Sequence, residues 1–317
     1  MEINPAILAN KVSSTLSPPI TLTRHSTIEG DDHLIYFIAE HTSYILRVTK
    51  PRKDRGYDGA EMQMREKAIR EVVRAGYESR GLPAEFIPQC VYSFPVSEDG
   101  VHVASLERKL HGVSLDDVKD IKEKTKQEFI DLLTVLKNVD ISGIISIGVK
   151  VPDVEMPELN TLHRNAVHAW RRMIHEGGLE GVIDAGEEDA ESLFERKTAF
   201  IDQIQGIKEA DSVLVHNDLK GEHVLVNKDT GKFTAVLDWA DVGLGNPAID
   251  IAGMVLTIGT QAAQEVAVAV GYSRETILQG IILGRSGCVM RLDERLRGID
   301  TMSPQWLLRA QLKLSLE

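Results

Sequence analysis

Apolar and polar positions alternate along residues 20–27, the period-two pattern of a half-buried strand, and the short apolar-rich runs 34–39 and 44–48 read as two more strands. Glu29-Gly30-Asp31-Asp32 is a turn signal between the first two. Residues 60–77 switch to a helical period, with Met62, Ala68, Ile69, Val72 and Val73 apolar and charges elsewhere. Strand character returns at 91–94 and 101–107, on either side of Asp99-Gly100. From residue 124 onward helical periods dominate. Phe129, Leu132, Leu133, Val135, Leu136 and Val139 line one broad face of 124–139. Further helices are expected over 162–175, 187–205, 249–257, 262–270, 274–292 and 304–316. Acids at the start of 187–205 suit the helix dipole, and Pro247 before one helix and Gly271 after another suit the capping asymmetry. The pattern predicts an α+β chain, strand-rich at first and mainly helical afterwards.

One stretch interrupts the helical part. Three short β-rich runs, 213–215, 224–226 and 234–237, read as a small strand–turn–strand element, with the turn at Lys228-Asp229-Thr230-Gly231. The first run ends on His216-Asn217-Asp218 and the last on Asp238. Strand ends deliver side chains to loops, so both acids can be presented to a ligand, with His223 between them.

That spacing fits phosphoryl transfer, where catalysis is mainly positioning and charge neutralisation. His216-x-Asp218, a potential ligand five residues later at His223, and a later Asp238 match a base, a metal ligand and a second metal ligand. The segment resembles the aminoglycoside phosphotransferase superfamily, whose pattern is H-G-D-x-x-x-x-[NH] followed by I-D-[FW]. His223, Leu237-Asp238-Trp239 and Asn246-Pro247 through Asp250 are most similar to the macrolide 2′-phosphotransferases, and H-N-D with a later His also occurs among aminoglycoside 2″-phosphotransferases.

The resemblance implies a bilobal protein-kinase-like fold. Residues 1–110 would form a nucleotide-binding N-lobe, a small mixed lobe with an antiparallel sheet and one helix. Residues 111–317 would form a large, mainly helical C-lobe with the catalytic loop, metal site and acceptor pocket. It implies Asp218 as catalytic base, and His223 and Asp238 as ligands of Mg²⁺. Arg47, in Ile45-Leu46-Arg47-Val48, would take the place of the phosphate-binding cation, and its planar fork suits phosphate. The plain alternative is an outward-facing arginine on an alternating strand. Glu66 would pair with Arg47, with Glu61 and Glu71 as competitors on the same helix. Ser26 and Thr27 would face the phosphates, and backbone around Arg108 and Leu110 would meet the nucleotide base. His216 would brace the loop. The donor would be ATP or GTP and the acceptor a hydroxyl on a small molecule. Two alternatives stay open: a metabolic kinase of the same fold acting on an amino alcohol or sugar, and an inactive nucleotide-binding module. A protein kinase is disfavoured, because Asp238-Trp239-Ala240 replaces Asp-Phe-Gly and no Ala-Pro-Glu follows.

Composition adds limits. With 43% hydrophobic and 26% charged residues in 317, the chain is an ordinary globular protein of one large domain or two lobes. A net charge of −12 argues against nucleic acid as a partner. No apolar run reaches membrane-spanning length, and the start of the chain lacks the basic and apolar regions of a secretory signal. Only Cys90 and Cys288 occur, far apart, which fits a reducing cytoplasm. The acids Asp184, Glu187, Glu188, Asp189 and Glu191 could meet a cationic sugar, but read first as a solvated helix start.

Overall fold

The structure is a computed structural model that describes residues 4–17, 19–24, 33–50, 58–97, 101–118, 121–183, 189–204 and 212–317. In chain order it contains α1 (Pro5–Val12), β1 (Leu22–Arg24), β2 (His33–Ile38), β3 (Tyr44–Thr49), α2 (Gly59–Ser79), β4 (Cys90–Pro95) and β5 (Val103–Arg108). Then come β6 (Val113–Ser114), α3 (Glu123–Asn138), α4 (Ser142–Ser146), β7 (Asp153–Val154), α5 (Leu159–His175) and α6 (Ala190–Thr198). The remainder is β8 (Val213–Val215), β9 (Val224–Val226), β10 (Phe233–Val236), β11 (Gly243–Gly245), α7 (Ala248–Ile258), α8 (Thr260–Val270), α9 (Arg274–Leu296) and α10 (Gln305–Leu316).

Two compact units result. The first holds Met1–Gly112, Val139–Val151 and Thr234–Ala240; the second holds Val113–Asn138, Pro152–Phe233 and Asp241–Glu317. Two segments beyond residue 110 thus belong with the strand-rich unit, one of them carrying Asp238.

In the first unit a five-stranded sheet runs in the order β1-β2-β3-β5-β4, antiparallel throughout. Strand periodicity sorts its residues onto two faces. Leu34, Tyr36 and Ile38, Leu46 and Val48, and Ala104 and Leu106 share one apolar core with Leu8 and Val12 of α1. The alternate positions His33, Arg47, Ser105 and Glu107 therefore share the opposite face. They are polar, yet His33, Ser105 and Glu107 are buried. The helix α2 carries the matching residues. Its buried stripe runs Met62, Glu66, Ile69, Arg70, Val73 and Tyr77 at helical spacing. Its N-terminus is fixed by a capping box in which Asp58 accepts from the Glu61 N–H and Glu61 accepts from the Asp58 N–H. An α+β fold is what the patterning predicts, and the antiparallel N-terminal sheet is what the resemblance implies.

The second unit is mainly helical. Trp170, Met173, Phe194, Val289, Leu292, Leu308 and Leu312 from α5, α6, α9 and α10 make one core. The helix α9 approaches α7 closely because Gly280 and Gly284 lie one turn apart: a β-carbon at either would meet Ile251 or the Ala252 backbone. On α7, Gly253 does the same for the chain at Leu219, where a β-carbon would overlap the Leu219 carbonyl. The helix α7 is thus seated tightly against the loop after β8. The run 213–215 is paired antiparallel with β11, and β11 is also paired in parallel with β7. Neither β7 nor β11 is visible in the patterning. After β9, the turn closes with Asn227 N–H donating to the Lys232 carbonyl and Gly231 N–H to the Asn227 carbonyl. Among the described residues, no helix is long and apolar enough to cross a membrane.

Candidate active site

In the first unit the polar sheet face and α2 build one charge network. Arg47 Nη1 donates to Glu66 Oε2 at 3.1 Å and to Glu107 Oε1 at 3.2 Å. Arg70, one turn after Glu66, donates to both oxygens of Glu107 at 3.0 and 3.2 Å. Ser105 Oγ donates to the same carboxylate at 3.1 Å. Arg47 Nη2 lies 3.0 Å from His33 Nδ1. A guanidinium only donates, so Nδ1 accepts. That leaves the ring proton on Nε2, which faces Glu66 Oε1 at 3.2 Å. Of the competing helix acids, Glu61 caps the helix and exposed Glu71 sits 3.9 Å from Lys67.

The charges reinforce one another. Burial lifts the Glu66 carboxyl, but Arg47, His33 and Arg70 outweigh it and hold it well below the carboxylate range. Burial lowers the Arg47 guanidinium, yet Glu107, Glu66 and Asp238 more than restore it. Burial likewise works against Glu107, and Arg70 and Arg47 bring it from 4.5 down to about 2. A folded value below the unfolded one stabilises the protein above pH 4.5, and that stability is lost as pH falls toward 2. The contribution at neutral pH is ~3 kcal/mol. Unfolding free energy measured against pH should fall across this window in the wild type. In Glu107→Gln the slope should be shallower by one proton; an identical slope would contradict the assignment.

Asp238 belongs to this unit and follows β10. Its backbone is left-handed, φ 57°, which Asp tolerates better than most residues. The turn is fixed on both sides: Arg65 donates to the Ala240 carbonyl, Val236 N–H to the Phe86 carbonyl at 3.0 Å, and Trp239 Nε1 to the Val236 carbonyl at 2.8 Å. Arg65 and Glu66 are neighbours on α2, so one helix secures both the Asp238 turn and Arg47.

Backbone after β5 is more restricted than the sequence suggests. The Arg108 N–H is donated to the Gln89 carbonyl at 3.2 Å, and the Lys109 N–H to the Ser43 carbonyl at 2.9 Å. The Arg108 N–H is thus already engaged by backbone. No described residue takes the Leu110 N–H. Ser26 and Thr27 lie outside the described residues, as do Asp184, Glu187 and Glu188 of the acidic cluster.

In the second unit the loop after β8 is strongly constrained. The backbone N–H groups of His216 and Asn217 donate to the two oxygens of Asp250, at 2.8 and 2.9 Å. Asn217 is left-handed, φ 65°, and its Nδ2 donates to the Asp241 carbonyl at 3.2 Å. The loop then folds back: Lys220 N–H donates to the Asp218 carbonyl and His223 N–H to the Lys220 carbonyl, both at 3.0 Å. Asp218 is left partly exposed. Lys220 Nζ lies 3.2 Å from its Oδ1 and 2.7 Å from Glu222 Oε1. Burial lowers the Lys220 ammonium, but Asp218 and Glu222 keep it above its ordinary value. His223 Nδ1 is 2.9 Å from the Asp218 carbonyl and 3.3 Å from Oδ2. The other ring nitrogen, Nε2, lies 3.8 Å from Glu222 Oε1. Ser114 Oγ, donating to the Gly221 carbonyl at 3.1 Å, supports the loop from β6.

The structure thus brings Arg47 to Glu66 in one unit, and Asp218 to His223 in the other. Sequence reasoning missed Glu107, Arg70 and His33 in the first, and Asp250, Asn217 and Lys220 in the second. The signal available for Glu107 was its register with Ser105 on the face of Arg47.

The matching family model is described as a phosphotransferase enzyme family and covers residues 35–280. A viomycin phosphotransferase from Streptomyces vinaceus is 34% identical over 92 residues, 28% of this chain; the match spans only 30% of that relative's length. Among solved structures, an aminoglycoside 2'-phosphotransferase-IIIa in complex with GDP is similar with a TM-score of 0.60 at 19% identity, covering 98% of this chain and 97% of that one. A macrolide 2'-phosphotransferase from Brachybacterium faecium has a TM-score of 0.52 at 15% identity, covering 97% of each chain. Those two likenesses concern the fold alone. With the family match extending over most of its length, the chain belongs to the phosphotransferase enzyme family.

Proposed function

We propose that the protein moves the γ-phosphoryl of ATP or GTP onto a hydroxyl of a small molecule, as an antibiotic kinase. The observation that carries this is the buried Arg47–Glu66 pair at 3.1 Å. Patterning alone leaves Arg47 equally readable as a solvated strand residue. A pair held between β3 and α2 is the part of the phosphoryl-transfer apparatus that orients the donor phosphates. Residues up to about 110 supply the nucleotide contacts in this reading, with Ser26, Thr27 and the Leu110 N–H as further candidates.

Asp218 is the general base. It accepts the acceptor hydroxyl's proton and aligns its oxygen for attack. The Lys220 ammonium at 3.2 Å supplies a cation beside the reacting groups. His223 and Asp238 hold Mg²⁺. The donor types suit a divalent ion: one carboxylate, and one imidazole whose Nδ1 lies 2.9 Å from the Asp218 carbonyl. Mg²⁺ prefers oxygen, so His223 would serve such an ion through a water. Bound there, the ion would neutralise charge on the phosphates.

This predicts a specific order among His223 variants. His223→Asn offers an oxygen and should retain more turnover than His223→Ala, which offers nothing. Steady-state rates at saturating Mg²⁺ compare them. Equal loss in both would mean that His223 serves something other than the ion.

Relatives named for viomycin, aminoglycosides and macrolides define the acceptor classes to test first. The deciding experiment is a phosphorylation screen with ATP and with GTP over these three classes and over amino alcohols and sugars. Transfer to an antibiotic supports the proposal. Transfer only to a metabolite moves the protein to a metabolic role. Nucleotide binding with no transfer to any acceptor makes it a binding module.

A further inference from the structure

Glu107 has no role in the proposed phosphoryl transfer, yet it is heavily engaged within the first unit. It is 1% exposed and takes hydrogen bonds from Arg47, Arg70 and Ser105. Two cations and two carboxylates alternate in this network: Arg47 touches Glu66 and Glu107, and Arg70 touches Glu107. We propose that Glu107, anchored by Arg70, is a second positioning carboxylate for Arg47, setting the guanidinium for the nucleotide diphosphate group. The inference rests on the phosphoryl-transfer reading and assigns it two residues more.

The donor count on Arg47 supports this. A guanidinium has five N–H groups. Both on Nη1 go to the carboxylates, and one on Nη2 goes to His33 Nδ1. Among the described residues nothing takes Nε–H or the second N–H on Nη2. These adjacent donors are a fork that fits two phosphate oxygens. The side chain keeps 12% of its surface exposed, while its Nη1 is held by the two carboxylates. One carboxylate would fix a point on the guanidinium; two carboxylates and an imidazole fix its plane.

Removing Glu107 alone should do more than delete one bond. Arg70, whose side chain is 2% exposed, would become a buried cation without its acceptor. Glu66 lies within its electrostatic reach already. Arg70 would then compete with Arg47 for Glu66, and the pair proposed to orient the phosphates would loosen. Glu107 thus also keeps Arg70 from capturing Glu66.

Calorimetry of the full chain with Mg-ADP, Mg-GDP and the corresponding nucleosides tests this, beside thermal unfolding. Glu107→Gln should weaken the preferred diphosphate by about tenfold and leave its nucleoside unchanged. The paired variant Glu107→Leu with Arg70→Met removes both buried charges and should keep or raise the melting temperature. It should still bind the diphosphate several-fold more weakly than the wild type, and more tightly than Glu107→Gln. Should Glu107→Gln fail to fold, the paired variant alone decides. Diphosphate affinity equal to wild type in the paired variant would overturn the positioning role and leave the kinase reading standing. Absence of Mg-nucleotide binding by the wild-type protein would overturn the kinase reading itself, and this inference with it.

Discussion

Asp238→Asn should abolish most Mg²⁺-dependent nucleotide binding while leaving the fold intact. Asn is the informative replacement because position 238 is left-handed, φ 57°, and Asn tolerates that conformation where Ala is strained. The side chain keeps its size and an oxygen, so the loss isolates the charge. Even outer-shell groups of a metal site cost roughly 10–100-fold in affinity when removed. A direct charged ligand should cost at least that much. Asp238 also helps hold the Arg47 guanidinium charged, after Glu107 and Glu66, so part of the loss should persist without Mg²⁺. Calorimetric titration of Mg-nucleotide, and of nucleotide in chelator, separates the two contributions. Affinity unchanged in both titrations would remove Asp238 from the site.

The chain declares its fold wherever one layer covers one face. The strand runs of β2, β3 and β5 are legible because they carry the apolar residues, such as Leu34, Leu46 and Leu106, that build the core with α1. The α2 stripe is legible for the same reason. What stays hidden is a polar residue covered by a second layer. Arg47, Ser105 and Glu107 look like the wet side of a sheet until α2 is known to lie over them, and nothing local reports that. Two-residue strands are hidden differently. The ranges of β6 and β7, and the glycine-bounded β11, have no intrinsic strand pattern; they pair because partners hold them, as β11 is held by β8. The loop after β8 shows the converse. Its acids were legible from spacing, but the brace on His216 and Asn217 comes from Asp250, thirty-odd residues on, and acts through backbone groups that leave no trace in sequence.

Asp218→Asn should cut turnover by roughly 10²–10⁴ if the carboxylate is the general base. The loop around it is over-determined by Asp250, Asn217 and Ser114, so the substitution should not move the backbone. Asn has nearly the same size and still accepts a hydrogen bond, but it cannot take the proton. Lys220 keeps Glu222 at 2.7 Å as a partner, so its ammonium is not released by the change. His223 leans on the Asp218 main-chain carbonyl, which the substitution leaves in place, so the imidazole should keep its orientation. Mg-nucleotide affinity should therefore hold while turnover falls, the reverse of the outcome expected for Asp238→Asn, where binding itself should be lost. Measuring both quantities on the Asn variant, with an acceptor found by the screen, tests the assignment. Turnover within a few-fold of wild type would sink the base role and with it the mechanism built on this loop.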